Sequence, residues 1–204
     1  MRFFITLSFI FFAAPIFSQK ENLAVTNEAA ANEAIFLAES YFREDSFELA
    51  FNGRDSRSPS IPNFLGFKDI IEQYKDTKAA NLAYRYAGVC LLNMGAYTEA
   101  IGYLSNFQTK DPFLQITNDG LIGDAYAELN DFQTALKYYT QAINGEKDEM
   151  LTPYFLYKIG LLMEIHFKDL KKAKKYYQKI SNNYPTFAER QNIEADLIRI
   201  TGDY

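Results

Sequence analysis

Residues 84–112 read YRYAGVCLLNMGAYTEAIGYLSNFQTKDP, and residues 119–142 read DGLIGDAYAELNDFQTALKYYTQA. In each a glycine stands twelve residues before an alanine, Gly88 before Ala100 and Gly123 before Ala135. Tyr84, Leu91, Tyr97 and Leu104 surround the first pair; Tyr126, Phe132 and Tyr139 surround the second. Apolar residues at helical spacing on both sides of a short break (Gly95 in one copy, Asn130 in the other) predict two helices joined by a tight turn. Antiparallel helices approach closely only where small side chains lie between them, so Gly88 is expected to face Ala100 and Gly123 to face Ala135. A single hairpin cannot bury its apolar face alone, so neighbouring hairpins must stack.

The frame extends in both directions. Downstream come Leu156, Gly160, Met163, Leu170, Ala173, Tyr177 and Pro185, with Gly160 and Ala173 thirteen apart. One extra residue is therefore expected in the turn around His166 to Asp169. Upstream, Ala38, Tyr41, Phe47 and Ala50 keep the spacing, but Gly53, Pro59 and Pro62 interrupt it before it resumes at Phe67 and Tyr74. The surplus, Phe51 to Asn63, reads as an insertion within a second helix. Pro112 and Pro185 are expected to stop second helices. Thr152-Pro153 reads as an N-cap followed by proline at the first helical position. Thr186 with Glu189 has the form of a capping box opening a final helix. The resulting expectation is a repeat domain over 31–200, with repeats at about 31–77 (insertion 51–63), 81–114, 116–149 and 153–187, and a capping helix at 186–200.

This pattern resembles the tetratricopeptide repeat family over about residues 32–200. The resemblance implies an all-α fold of helical hairpins stacked in a right-handed superhelix, an α-solenoid, closed by a C-terminal capping helix. It implies a scaffold for a protein or peptide partner, not an enzyme, with no cofactor. Within the family, Ala38-Glu39-Ser40-Tyr41-Phe42, Leu65-Gly66-Phe67 with Ile70, Ile71 and Tyr74, and Gly123-Asp124-Ala125-Tyr126 are similar to envelope proteins like the ancillary subunit of the Sec translocon. In such relatives the first helices line an inner groove. Carried over, the groove includes Glu39, Phe42 and Arg43, then Arg85, Val89 and Asn93, then Asp124 and Glu128, then Tyr157, Leu161 and Glu164. It is mixed in charge and lacks the Lys/Asn set with which some relatives clamp a C-terminal carboxylate. A peptide or partner helix is the expected guest.

Composition narrows the function further. The 204 residues carry 21 Lys+Arg against 26 Asp+Glu, a formal net charge of −5, which argues against a protein built to grip nucleic-acid backbone, so no nucleic-acid partner is expected. A single Cys and a single His exclude disulfide frameworks and most zinc sites. Met1-Arg2 followed by the apolar run Phe3 to Phe17 reads as a signal peptide over residues 1–18, with a short uncleaved anchor as the alternative. The run would span about 22 Å as helix, short of the ~30 Å hydrocarbon core. On either reading Arg2 stays in the cytoplasm and the chain beyond Gln19 is exported, so the expected location is the periplasm. Residues 19–30 read as a polar linker.

The remaining chemistry is sparse. Cys90, between Gly88 and Leu91 on a first helix, reads as a small buried apolar residue. His166 reads as a turn residue, and no motif for phosphate, zinc or calcium is present. Asp124 and Glu128, four apart, would make an acidic spot in the groove. Lys168, Lys171, Lys172, Lys174, Lys175 and Lys179 form the one dense basic cluster, a solvated face or a contact for anionic lipid or an acidic partner. Together these point to a non-enzymatic periplasmic scaffold acting in envelope protein export or folding. The alternatives are a component of an outer-membrane assembly or secretion machine and, from another class, an enzyme. The sequence leaves the oligomeric state open.

Overall fold

The computed structural model describes residues 14–54, 63–144 and 147–202, with side chains from Ala24 onward. In chain order the elements are α1 (Ala14–Arg43), α2 (Phe47–Asn52), β1 (Gly53–Arg54), β2 (Phe64–Leu65), α3 (Phe67–Gln73), α4 (Lys78–Asn93) and α5 (Tyr97–Asn106). They continue with α6 (Pro112–Glu128), α7 (Phe132–Asn144), α8 (Leu151–Leu161) with its π-helical extension Leu162–His166, α9 (Leu170–Asn183), α10 (Pro185–Gln191) and α11 (Ile193–Thr201). The fold is all-α, a run of helical hairpins: α4 packs on α5, α6 on α7 and α8 on α9, while α5–α6 and α7–α8 contacts join neighbours.

Three turns built alike set this architecture. Asp45, Gly95 and Asn130 are left-handed, at φ 54°, 76° and 61°. The amide after each reaches back five residues: Ser46 to Tyr41, Ala96 to Leu91 and Asp131 to Tyr126, all at 2.9 Å. This pattern satisfies carbonyls left open at a helix end, and Gly, Asn and Asp are the residues that tolerate it. In the last repeat Lys168 takes the left-handed place, at φ 55°. There the Asp169 amide reaches back six residues, to Met163, at 2.8 Å. The extra residue expected in the turn is instead absorbed one turn earlier, by the π-helical stretch Leu162–His166.

Several expected boundaries move. Pro112 does not end α5, which stops at Asn106; it is the first residue of α6, whose first amides are capped by Asp111 at 2.8 and 3.0 Å. Pro185 likewise opens α10. Thr152 is not an N-cap. Asp148 accepts from the Met150 and Leu151 amides at 2.7 and 2.6 Å, and Thr152 Oγ1 accepts from the Asp148 amide, so Pro153 still falls in the first turn, where no donor is needed. The capping box at Thr186 is absent because Tyr184 is the N-cap, and the final helix is broken at Asn192 (φ 55°), which lets Ile193 turn into full burial. The linker expected over 19–30 is helix, continuous with the first repeat. Ala24, Glu28, Ala29 and Ala30 are strong helix formers, and Glu28 accepts from the Lys78 amide at 3.0 Å. Residues 1–13, most of the expected signal peptide, lie outside the described residues.

The interruption begins later than the expected Phe51, since Phe51 and Asn52 are the last residues of α2. β1 and β2 pair antiparallel, Gly53 with Leu65 and Arg54 with Phe64, so the chain leaves α2 and re-enters α3 at one point. A Cβ on Gly53 would strike the Gly66 backbone and one on Gly66 would strike Gly53, so only glycine at both positions permits the pinch. Residues 55–62 within the insertion lie outside the described residues. Beyond it, Thr77 links repeats by donating to Tyr74 O at 2.8 Å and capping Ala80 N at 3.1 Å.

Close packing within hairpins meets the expected Gly–Ala apposition only in part: a Cβ on Gly88 would come within 3.3 Å of the Ala100 carbonyl, but the nearest atoms at all three glycines belong to larger side chains. A Cβ on Gly88 would collide with Leu104, one on Gly123 with Tyr139 and one on Gly160 with Tyr177. The glycine thus makes room for the large side chain one turn beyond each alanine. Leu104 and Tyr177 are fully buried and Tyr139 is 3% exposed. Two apolar cores result, one from Ala31 to Ala100 and one from Ile116 to Ile193. Replacing Gly160 with Ala is expected to cost about 1–3 kcal/mol by overpacking against Tyr177. Gly102→Ala, on α5 with open space around it, should instead stabilise by about 0.5–1 kcal/mol. Urea denaturation of the two variants checks the contrast.

Candidate functional site: the first-helix face

Residues four and seven apart share one face of a helix. On α6 that rule aligns Phe113, Thr117, Asp124 and Glu128; on α4, Arg85, Val89 and Asn93; on α8, Tyr154 with Lys158 and Tyr157 with Leu161. Most of the polar groups on these faces are engaged with the neighbouring repeat. Between α1 and α4, Glu39 bonds the Tyr86 hydroxyl, whose pKa is raised by burial and then by Glu39. Glu39 also pairs with Arg43 at 3.6 Å.

Between α4 and α6, Arg85 Nη2 donates to Thr117 Oγ1 at 3.0 Å. Its Nε is buried without a hydrogen-bond partner, and burial lowers its pKa, with Tyr86 partly opposing. Among the described residues no carboxylate forms an ion pair with it. Thr117 in turn is anchored to the carbonyls of Phe113 and Leu114, both exposed apolar residues.

Between α6 and α8 the contact is a shared oxygen. Asp124 Oδ1 accepts from Tyr139 Oη at 2.6 Å and from Lys158 Nζ at 2.7 Å. Lys158 lies 5.1 Å from the Tyr154 ring and 5.5 Å from the Tyr139 ring, a cation held against aromatic faces. Burial works against its charge, but Asp124 and Tyr154 outweigh it and raise its pKa. The Tyr139 hydroxyl is pushed far up by burial and then by Asp124. The acidic spot expected from Asp124 and Glu128 is therefore reduced: Lys158 neutralises Asp124, and Glu128 alone stands exposed.

The last first helix is tied to the C-terminal segment. Tyr157 bonds Asp196, Glu164 pairs with Arg199, and Tyr177 Oη donates to Glu164 Oε2 at 2.8 Å. Phe42 is taken up by packing, edge-on to Phe47, Phe67 and Tyr86. Asn93 folds back on the Val89 carbonyl at 2.9 Å, and Val89 and Leu161 are half-buried.

The partners Thr117, Lys158, Asp196 and Arg199 escaped sequence reasoning. In the repeat frame the place of Asp124 falls on Leu161, since Gly123 and Gly160 are equivalent, so the contact with Lys158, three residues earlier, had no signal in the spacing. His166 is exposed and stacks on Phe132 with centroids 3.6 Å apart. Among the described residues no group of His, Cys, Asp or Glu could hold a metal ion, and no helix is long and apolar enough to cross a membrane.

With this geometry in view, residues 154–186 match the tetratricopeptide repeat family, a span running from α8 through its π turn and α9 to the start of α10. No curated protein matches the chain. The described residues form an all-α array of helical hairpins, consistent with that match over its last repeat.

Two predictions follow from the site. Asp124→Ala leaves Lys158 and the Tyr139 hydroxyl without their acceptor and should cost about 1–3 kcal/mol. Adding Lys158→Met should recover part of that loss, because no half-buried cation then remains. Simple additivity of the two changes in urea titrations would show that the contact does not hold the repeats. Separately, the fully buried Cys90 thiol is pushed up by burial to about 12. It should resist thiol reagents at pH 8 in the native protein and react only in denaturant.

Proposed function

We propose that the chain is a non-catalytic scaffold that seats a protein or peptide partner against its first-helix face, in the periplasm, in the service of envelope protein export or folding. The observation that carries the reading is an incomplete surface. Arg85 is drawn partly out of water with one hydroxyl for a partner, while Phe113 and Tyr154 on neighbouring first helices are 50% and 40% exposed. A partly desolvated cation and exposed aromatic rings on successive first helices are the composition of protein-binding surfaces, where aromatics and Arg are enriched. The repeat match at 154–186 supports the scaffold class, and the apolar run Phe3 to Phe17 supports export. The likeness of Ala38 to Phe42 and Leu65 to Tyr74 to Sec-ancillary envelope proteins is what favours export or folding over other envelope tasks.

Photo-crosslinkers at Phe113 and Glu128, compared with one at Lys137 on a second helix, test the reading in cells. A discrete protein adduct from the first two positions, recovered in the periplasmic fraction and lost with Arg85→Ala, is the expected result. Equal adducts from all three positions, or none, would remove the case for this face.

A further inference from the structure

A second surface lies on α9. Lys171, Lys172, Lys175 and Lys179 fall within roughly 100° of the helix circumference, at 3.6 residues per turn. Lys168 precedes them in the turn, and all five are exposed. The second helices of the two preceding repeats are unlike this: α5 carries Glu99 as its one charged residue and α7 carries Lys137. The stripe thus stands apart in a chain whose net charge is −5.

Helix stability does not account for it. Lys171 and Lys175, and Lys175 and Lys179, are like charges four apart, which destabilises a helix. Lys171 and Lys172 sit in the first turn, where the helix dipole disfavours cations. Lys168 holds a left-handed conformation, φ 55°, where the other repeats place Asp45, Gly95 and Asn130. Among the described residues only Lys172 is paired, to Asp169 at 3.0 Å. Lys171 also acts on Asp169 through space, while Lys168, Lys175 and Lys179 have no ion pair among the described residues.

We propose that this lysine stripe is a docking surface for an anionic phospholipid membrane, separate from the first-helix face and independent of what that face binds. The stripe contains no arginine. It therefore has no planar fork for reading individual carboxylates, but flexible point charges suited to a layer of headgroup phosphates. Half-buried Tyr176, on the edge of the stripe and packed on the last repeat's core, adds an amphipathic ring of the kind found at headgroup depth. The surrounding negative charge limits the contact to this one side and so fixes the orientation of the chain on the surface.

The test is flotation of the full-length protein with two kinds of vesicle, phosphatidylcholine alone and equal parts phosphatidylglycerol and phosphatidylcholine. Binding is expected to the mixed vesicles only and to vanish near 1 M salt, where the screening length falls to about 3 Å. The combined change Lys171→Gln, Lys175→Gln and Lys179→Gln should weaken it about a hundredfold, at roughly fivefold per lysine. These changes remove repulsion within α9, so the variant should fold, and the comparison of vesicles with the unaltered chain stands without it. Equal flotation with both vesicles would assign any membrane affinity to the apolar N-terminus and overturn the proposal. Undiminished binding by the triple variant would overturn it as well. Capture by soluble polyglutamate with no vesicle binding would transfer the stripe to an acidic protein partner.

Discussion

The structure depends on one steric constraint: within three of its hairpins the two helices lie too close for a Cβ at the glycine of the first. Gly88, Gly123 and Gly160 each occupy that point, under Leu104, Tyr139 and Tyr177. What the glycine admits determines what the face above can do. Leu104 only packs. Tyr139 and Tyr177 carry hydroxyls, which emerge at the first helix and bond Asp124 and Glu164. Those carboxylates, fixed by a side chain of their own hairpin, are then in place to take Lys158 and Arg199 from the next element. Packing inside a repeat therefore dictates the polar contacts between repeats.

The same hierarchy explains what could be read from the sequence. The number of hairpins, the twelve-residue spacing and the interrupted first copy depend on side-chain size at fixed intervals, and size is written in the residue type. Helix boundaries depend on competition between caps, which single residues resolve poorly. Pro112 is compatible with ending one helix or starting the next, and Asp111, free to accept from two amides, decides for the start. Thr152 looked like a cap, but Asp148 four residues earlier captured the open amides first. The surplus residue between Gly160 and Ala173 was countable from the sequence, whereas its absorption as a π-helical turn rather than a longer loop follows from how Met163 and Leu162 stay buried.

The first-helix face was legible as a set of positions and not as a set of partners. Helical spacing placed Arg85, Asp124 and Glu164 on successive first helices. It carried no information about whether the neighbour supplies a hydroxyl, an ammonium or a guanidinium. Phe42, Asp124, Tyr157 and Glu164, carried over as groove residues, are engaged by neighbouring elements, because a stacked array uses the same faces to hold its own repeats together. Phe113 and Glu128 stand exposed outside those contacts, while the Tyr154 ring, though 40% exposed, also faces Lys158.

Polar satisfaction is uneven along the array. Of the buried side-chain polar atoms among the described residues, two lack a hydrogen-bond partner, Arg85 Nε and Asn118 Oδ1. Both belong to the junction where α6 meets α4 and α5, and Asn118 Nδ2 bonds Leu104 O there at 3.0 Å. The two apolar cores also divide at this junction. The next junction, by contrast, gives Asp124 both a phenol and an ammonium. Because stability in a stacked array is approximately a sum over neighbouring contacts, an under-satisfied junction is where separation of the repeats costs least. Arg85 thus stands at the junction that, among the described residues, holds both unsatisfied buried polar atoms.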